Sequence, residues 1–92
     1  MNTDITRDII EEQLASMGVV ATLFDGLEAA LVGFVDTGTE QWIAIYDEEA
    51  CLEVFESQGM TYEDAIEYFE FNVRNCHTGD YTPQFITPVR RS

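Results

Sequence analysis

Three groups of residues in this chain have side chains capable of chemistry. Cys76 and His77 place a thiol next to an imidazole, the parts of a nucleophile–base couple. Adjacent residues rarely bring those two groups into hydrogen-bond reach, and the surroundings do not supply the positive environment that lowers a thiol pKa. One histidine with Cys51 and Cys76 also lacks the paired ligand spacing of a zinc site. The oxygen-rich runs Asp36–Glu40 and Asp47–Glu49 are candidates for a hard cation, but neither has the alternating ligands of a calcium loop. Carboxylates four positions apart, Glu49/Glu53 and Glu63/Glu67, have the residue types of an acid–base pair. On exposed helix faces, however, no burial would separate their pKa values. Phosphate-binding glycine loops and nucleophile elbows are lacking in the sequence. The expectation is a non-enzymatic protein with no catalytic residue, no metal and no cofactor.

What remains is charge. Eighteen acidic residues face four basic ones, all arginine, for a formal net charge of −14. That balance excludes direct binding to nucleic acid or anionic lipid, which need a basic footprint, and suits a partner with a basic surface. No apolar run approaches the roughly 18 residues of a membrane span. The N-terminal stretch MNTDITRDIIEEQ lacks the basic region and apolar core of a signal peptide. A cytoplasmic location is therefore expected, with both cysteines as free thiols. The 46% hydrophobic content, rich in aromatics, is that of a folded chain. At 92 residues, one domain over 1–92 is expected, its last residues, 86–92, forming a frayed tail.

The elements that carry the charge are read from spacing. Asp47 is a helix N-cap, followed by Glu48 and Glu49 where the dipole favours them. Cys51, Leu52 and Phe55 then share one side, and Glu49, Glu53 and Glu56 the other. Gly59 is the stop. Thr61 caps a second helix, with Asp64 three residues on. Tyr62, Ala65, Ile66, Phe69 and Val73 make its apolar stripe, and Glu63, Glu67 and Glu70 line the opposite face. Phe71 breaks this pattern, because a regular helix points it into the acidic side. Either the last turn bends or a loop covers it, or it is an exposed interface anchor.

Elsewhere the pattern predicts a first helix over 4–17, with Ile10, Leu14 and Met17 on its apolar side and Gly18 as its stop. Ile5 and Ile9 widen that side. Val19–Phe24 predicts a strand turning at Asp25-Gly26 into a hairpin, although Leu27–Leu31 also suits a helical turn. The apolar runs 29–35 and 41–46 flank the polar loop Asp36–Glu40, as a second hairpin would, and Gln84–Ile86 suits a short edge strand. The expected fold is α+β: a small antiparallel sheet of three or four strands, packed with helices at 4–17, 47–58 and 61–73.

The central stretch IYDEEACLEVF, then GMTYEDAIEYFEFNV, a glycine and TPQFI, resembles a group of small acidic proteins from bacteriophages and prophages. The match runs from about Tyr46 to Ile86. It is carried by Met60, Thr61, Glu63, Asp64, Ala65, Glu67, Phe71, Asn72, Gly79, Thr82, Pro83 and Phe85, and Asn75–His77 depart from it. The resemblance implies an origin and a setting, a phage product acting inside a bacterial cell, and brings no activity with it. The expected function is binding to a host protein, such as a defence or nucleic-acid-binding factor. The contact residues would be Glu49, Glu53, Glu56, Glu63, Asp64, Glu67 and Glu70, whose carboxylates would imitate a row of phosphates, together with Phe71. The alternatives are plain solvation and a homo-oligomer built on Phe71, Trp42 or the first helix.

Overall fold

Strand β3, Gln41–Asp47, is the hub around which the chain is assembled in this computed structural model, which describes residues 6–74, 79 and 81–89. Strand β2, Leu31–Val35, lies antiparallel along one edge of β3 and is joined to it through the Asp36–Glu40 loop. There the Asp36 carboxylate accepts from the Gly38 amide at 2.8 Å, and the Thr37 hydroxyl donates to the Gln41 carbonyl at 2.7 Å. This closes the turn locally, as side chains of this type do. The opposite edge of β3 is shared. Strand β1, Val20–Ala21, pairs with Gln41 and Trp42, while β4, Gln84–Ile86, pairs with Ile45–Asp47, both in parallel.

The sheet has four strands and is mixed, not antiparallel as the sequence suggests. After β1 the chain does not turn back at Asp25-Gly26. It runs on through a 3-10 turn, Glu28–Ala30, before entering β2, so the first predicted hairpin does not form. Phe24, expected within a strand, instead donates its backbone N–H to the Tyr46 hydroxyl at 2.9 Å. Parallel partners must be brought in from distant segments, and no local pattern announces them.

Helix α1, Arg7–Met17, starts at Thr6, whose hydroxyl accepts from the Ile9 amide, and stops at Gly18 in the left-handed region at φ 71°. Ile10 and Leu14 are buried as predicted, but Met17 and Ile9 are exposed. The expected start at residue 4, and Ile5, lie outside the described residues. Helix α2, Glu48–Ser57, is capped by Asp47 on the Ala50 amide at 3.2 Å. Helix α3, Tyr62–Phe69, is capped by Thr61 on the Asp64 amide at 3.1 Å. Both caps are those predicted, and Gly59 between the helices adopts φ 103°.

The helix expected over 61–73 changes character partway: α3 ends at Phe69 and a π-helical turn, Glu70–Arg74, continues it. In an α-helix, positions four apart drift by about 40°. The wider turn offsets part of that drift and keeps Val73 buried beneath the sequence Ala65–Phe69.

The core forms where the two helices meet β3. Cys51, Leu52, Phe55, Ala65, Phe69 and Val73 pack with Ala44, Tyr46, Leu27 and Ala30. Phe85 from β4 closes it, edge-on to Phe69 at 4.9 Å between centroids and stacked with Phe24 at 5.9 Å. The fraying expected from residue 86 does not begin there, because Ile86 is paired in β4 and the Thr87 hydroxyl donates to Glu48 at 2.8 Å. Residues 90–92 lie outside the described residues.

Two measurements test this interior. Tyr46→Phe strands the Phe24 amide and is expected to lower unfolding free energy by about 1–3 kcal/mol in a denaturant titration; an unchanged midpoint would place that hydroxyl elsewhere. Cys51 has no solvent exposure, and burial, reinforced by the Asp47 and Glu48 carboxylates, pushes its thiol from 9.0 to about 12. Burial raises the Tyr46 phenol as well. Below pH 9.0 the thiol leaves stability intact. As pH climbs from there toward about 12, only the unfolded chain ionises, and stability is lost. Cys51→Ala should flatten that alkaline decline in pH-dependent melts. A decline as steep as that of the native chain would remove Cys51 as its cause.

Candidate functional site

The carboxylates of α2 and α3 occupy their predicted positions but do not form one surface. On α2, Glu53 and Glu56 are exposed and Glu49 is half-buried. With Leu52 and Tyr62 these three line a groove of about 350 Å³ between the helices. An adjoining groove of about 230 Å³ shares Glu49, Leu52 and Tyr62, and adds Glu48, Ile66, Phe69, Glu70 and Thr87. Asp64, Glu67 and Phe71 lie on the other side of α3, where they line a third, shallow groove of about 300 Å³ with Tyr68 and Asn72. Glu63 is exposed and lines none of these grooves.

Two of the acids near the cleft have structural work. Glu48 accepts from the Arg74 guanidinium and from Thr87, and Glu70 lies 3.2 Å from Arg74 Nε. Arg74 also stands 5.2 Å over the Phe69 ring, a cation–π contact at the end of α3, while its pair with Glu48 ties the π-turn to the start of α2. Arg7 pairs with Asp25 and approaches Glu11 at 3.7 Å on α1, and it lines none of these three grooves. Among the described residues, then, both arginines are paired with other acids, and Glu53, Glu56, Glu63 and Glu67 form no ion pair.

Phe71 resolves into a combination of the predicted possibilities. The last turn does depart from α-helical form, yet Phe71 remains 73% exposed. Tyr62 and Ile66 differ from their predicted role in the core stripe. They are 56% and 37% exposed, because α2 covers only the Ala65–Phe69 side of α3 and leaves them on the cleft wall. Their spacing marks an apolar face but cannot say how much of it a neighbour covers. Trp42, another predicted contact, is half-buried, its indole N–H donating to the Thr39 carbonyl at 3.0 Å.

Among the described residues no cluster of histidine, cysteine and carboxylate groups is arranged to hold a metal. Cys76 and His77 lie outside the described residues. No described helix is long and apolar enough to cross a membrane. Compared with known proteins, the chain matches no family, no curated protein and no solved structure.

Proposed function

We propose that this chain is a non-enzymatic protein that binds and modulates a protein with a basic surface through helices α2 and α3. The observation that carries this reading is the set of exposed carboxylates at Glu53, Glu56, Glu63, Asp64 and Glu67, while Arg7 and Arg74 form their ion pairs with other acids. Like charges spaced four apart cost helix stability a few tenths of a kcal/mol per pair. A cationic partner would turn that repulsion into attraction. The phage-like motif supports a bacterial cytoplasm as the setting and a host factor as the target. A nucleic-acid-binding or defence protein suits best, because its own groove is already shaped for a row of anions.

The test is a tagged pull-down from bacterial lysate at low and moderate salt, read by mass spectrometry. Recovery of a basic host protein at low salt, lost at higher salt, is the expected result. Recovery of the chain alone would overturn this reading and favour self-assembly. That second reading has its own support in Phe71 and in Val32 and Val35, exposed on the open edge strand β2. Sedimentation at several concentrations would show it as a rising mass, and a constant monomer mass would remove it.

A further inference from the structure

The cleft between α2 and α3 combines two properties that plain solvation does not require together. Its wall is apolar: Leu52 and Phe69 form the buried floor, while Tyr62 and Ile66 stand partly in solvent at 56% and 37% exposure. Its rim is anionic, with Glu49, Glu53 and Glu56 along one side. The Arg74 ion pairs to Glu48 and Glu70 consolidate one end. A solvated acidic surface needs no aromatic ring held open beside it.

Resting on the proposed function, we infer that the partner's contact element is a cationic amphipathic helix. A bulky apolar side chain enters between Leu52, Tyr62 and Ile66, and flanking arginines or lysines meet Glu53 and Glu56. A groove walled by two helices receives a third through an apolar stripe at helical spacing. The ten residues of α2 run for about 15 Å, which suits a partner segment of about three turns. Tyr62 adds a ring face for a guanidinium as well as apolar area. A second copy of this chain is a poor occupant. It carries a formal charge of −14, so a copy docked on this rim meets like charge, and among the described residues its arginines, at 7 and 74, are engaged with carboxylates of their own copy.

The experiment uses two fluorescein-labelled peptides of about three turns and identical composition. One has leucines at helical spacing opposite arginines, and the other is scrambled so that charge is kept and the apolar face is lost. Anisotropy titration of the native protein should show the amphipathic peptide binding at least about tenfold more tightly, a difference of about 1.4 kcal/mol. Tyr62→Ser should erase that preference, with a thermal melt to show that the variant remains folded at the titration temperature. Glu53→Gln with Glu56→Gln should weaken both peptides. Equal affinity for the two peptides would overturn the groove while leaving the broader acidic-surface reading in place. Absence of binding by either would overturn both.

Discussion

Changing Glu53, Glu56, Glu63 and Glu67 together to lysine is expected to abolish recovery of the basic partner while leaving the domain folded. All four are exposed and, among the described residues, none forms an ion pair, so no internal contact is broken. The substitutions shift the formal charge of −14 by eight units, two at each position. They replace complementarity with like-charge contact, which costs an interface several kcal/mol, a loss of affinity on the order of 100-fold or more. Stability changes little. Lysine at position 53 becomes attractive to Glu49 one turn earlier, worth a few tenths of a kcal/mol. Lysine at position 63 opposes the dipole in the first turn of α3, at about 0.3–1 kcal/mol. Glu70 is left unchanged because its contact with Arg74 anchors the π-turn. Pull-down recovery and circular-dichroism melts read the two effects separately. A folded variant that still recovers the partner would remove these four acids from the interface.

Phe69→Ala should have the largest effect on the fold itself. The ring is 1% exposed, meets Phe85 edge-on at 4.9 Å and carries the Arg74 guanidinium at 5.2 Å. Truncating a buried phenylalanine costs about 3–5 kcal/mol, from lost transfer energy and the cavity left behind. Set against the roughly 5–15 kcal/mol that a typical domain possesses, this leaves little margin, and urea unfolding should shift to much lower concentration. Phe69→Leu, which keeps most of the volume, should lose clearly less. A loss below about 1 kcal/mol for the alanine variant would mean that the sheet and the helix pair do not meet at this ring. Partner recovery should fall with this variant only as far as folding does, in contrast to the charge reversals.

The comparison between sequence and structure divides along the range of the interactions involved. Asp47 and Thr61 are legible because a cap is decided by a side chain and an amide three residues on. Gly18 and Gly59 are legible because few other residues tolerate positive φ. The β2–β3 hairpin follows for the same reason, its turn being closed by Asp36 and Thr37 within the loop. What the sequence conceals is set by remote partners. The parallel pairing of β1 and β4 depends on which free edge of β3 each segment reaches. Arg74, Glu48 and Thr87 meet across separations of 26 and 39 positions, so Glu48 reads as a first-turn acid and not as a tether. Tyr62 and Ile66 belong to the apolar stripe by spacing, and only the reach of α2 decides that they stay open. The eight candidate contacts were thus identifiable as exposed or rim acids with one aromatic, but not their division between two sides of α3.

The shared edge of β3 also fixes an order of events in time. The β2–β3 hairpin closes between neighbours and can form early, whereas β4 docks only after a loop that contains both helices and the π-turn has been closed. Loop-closure entropy delays such long-range pairing. Until β4 arrives, Phe85 is missing from the rings of Phe24, Tyr46 and Phe69. A chain that ends before β4 therefore leaves the rings of Phe24, Tyr46 and Phe69 without their Phe85 neighbour. Chaperone occupancy and premature proteolysis should concentrate on nascent chains that stop short of residue 84.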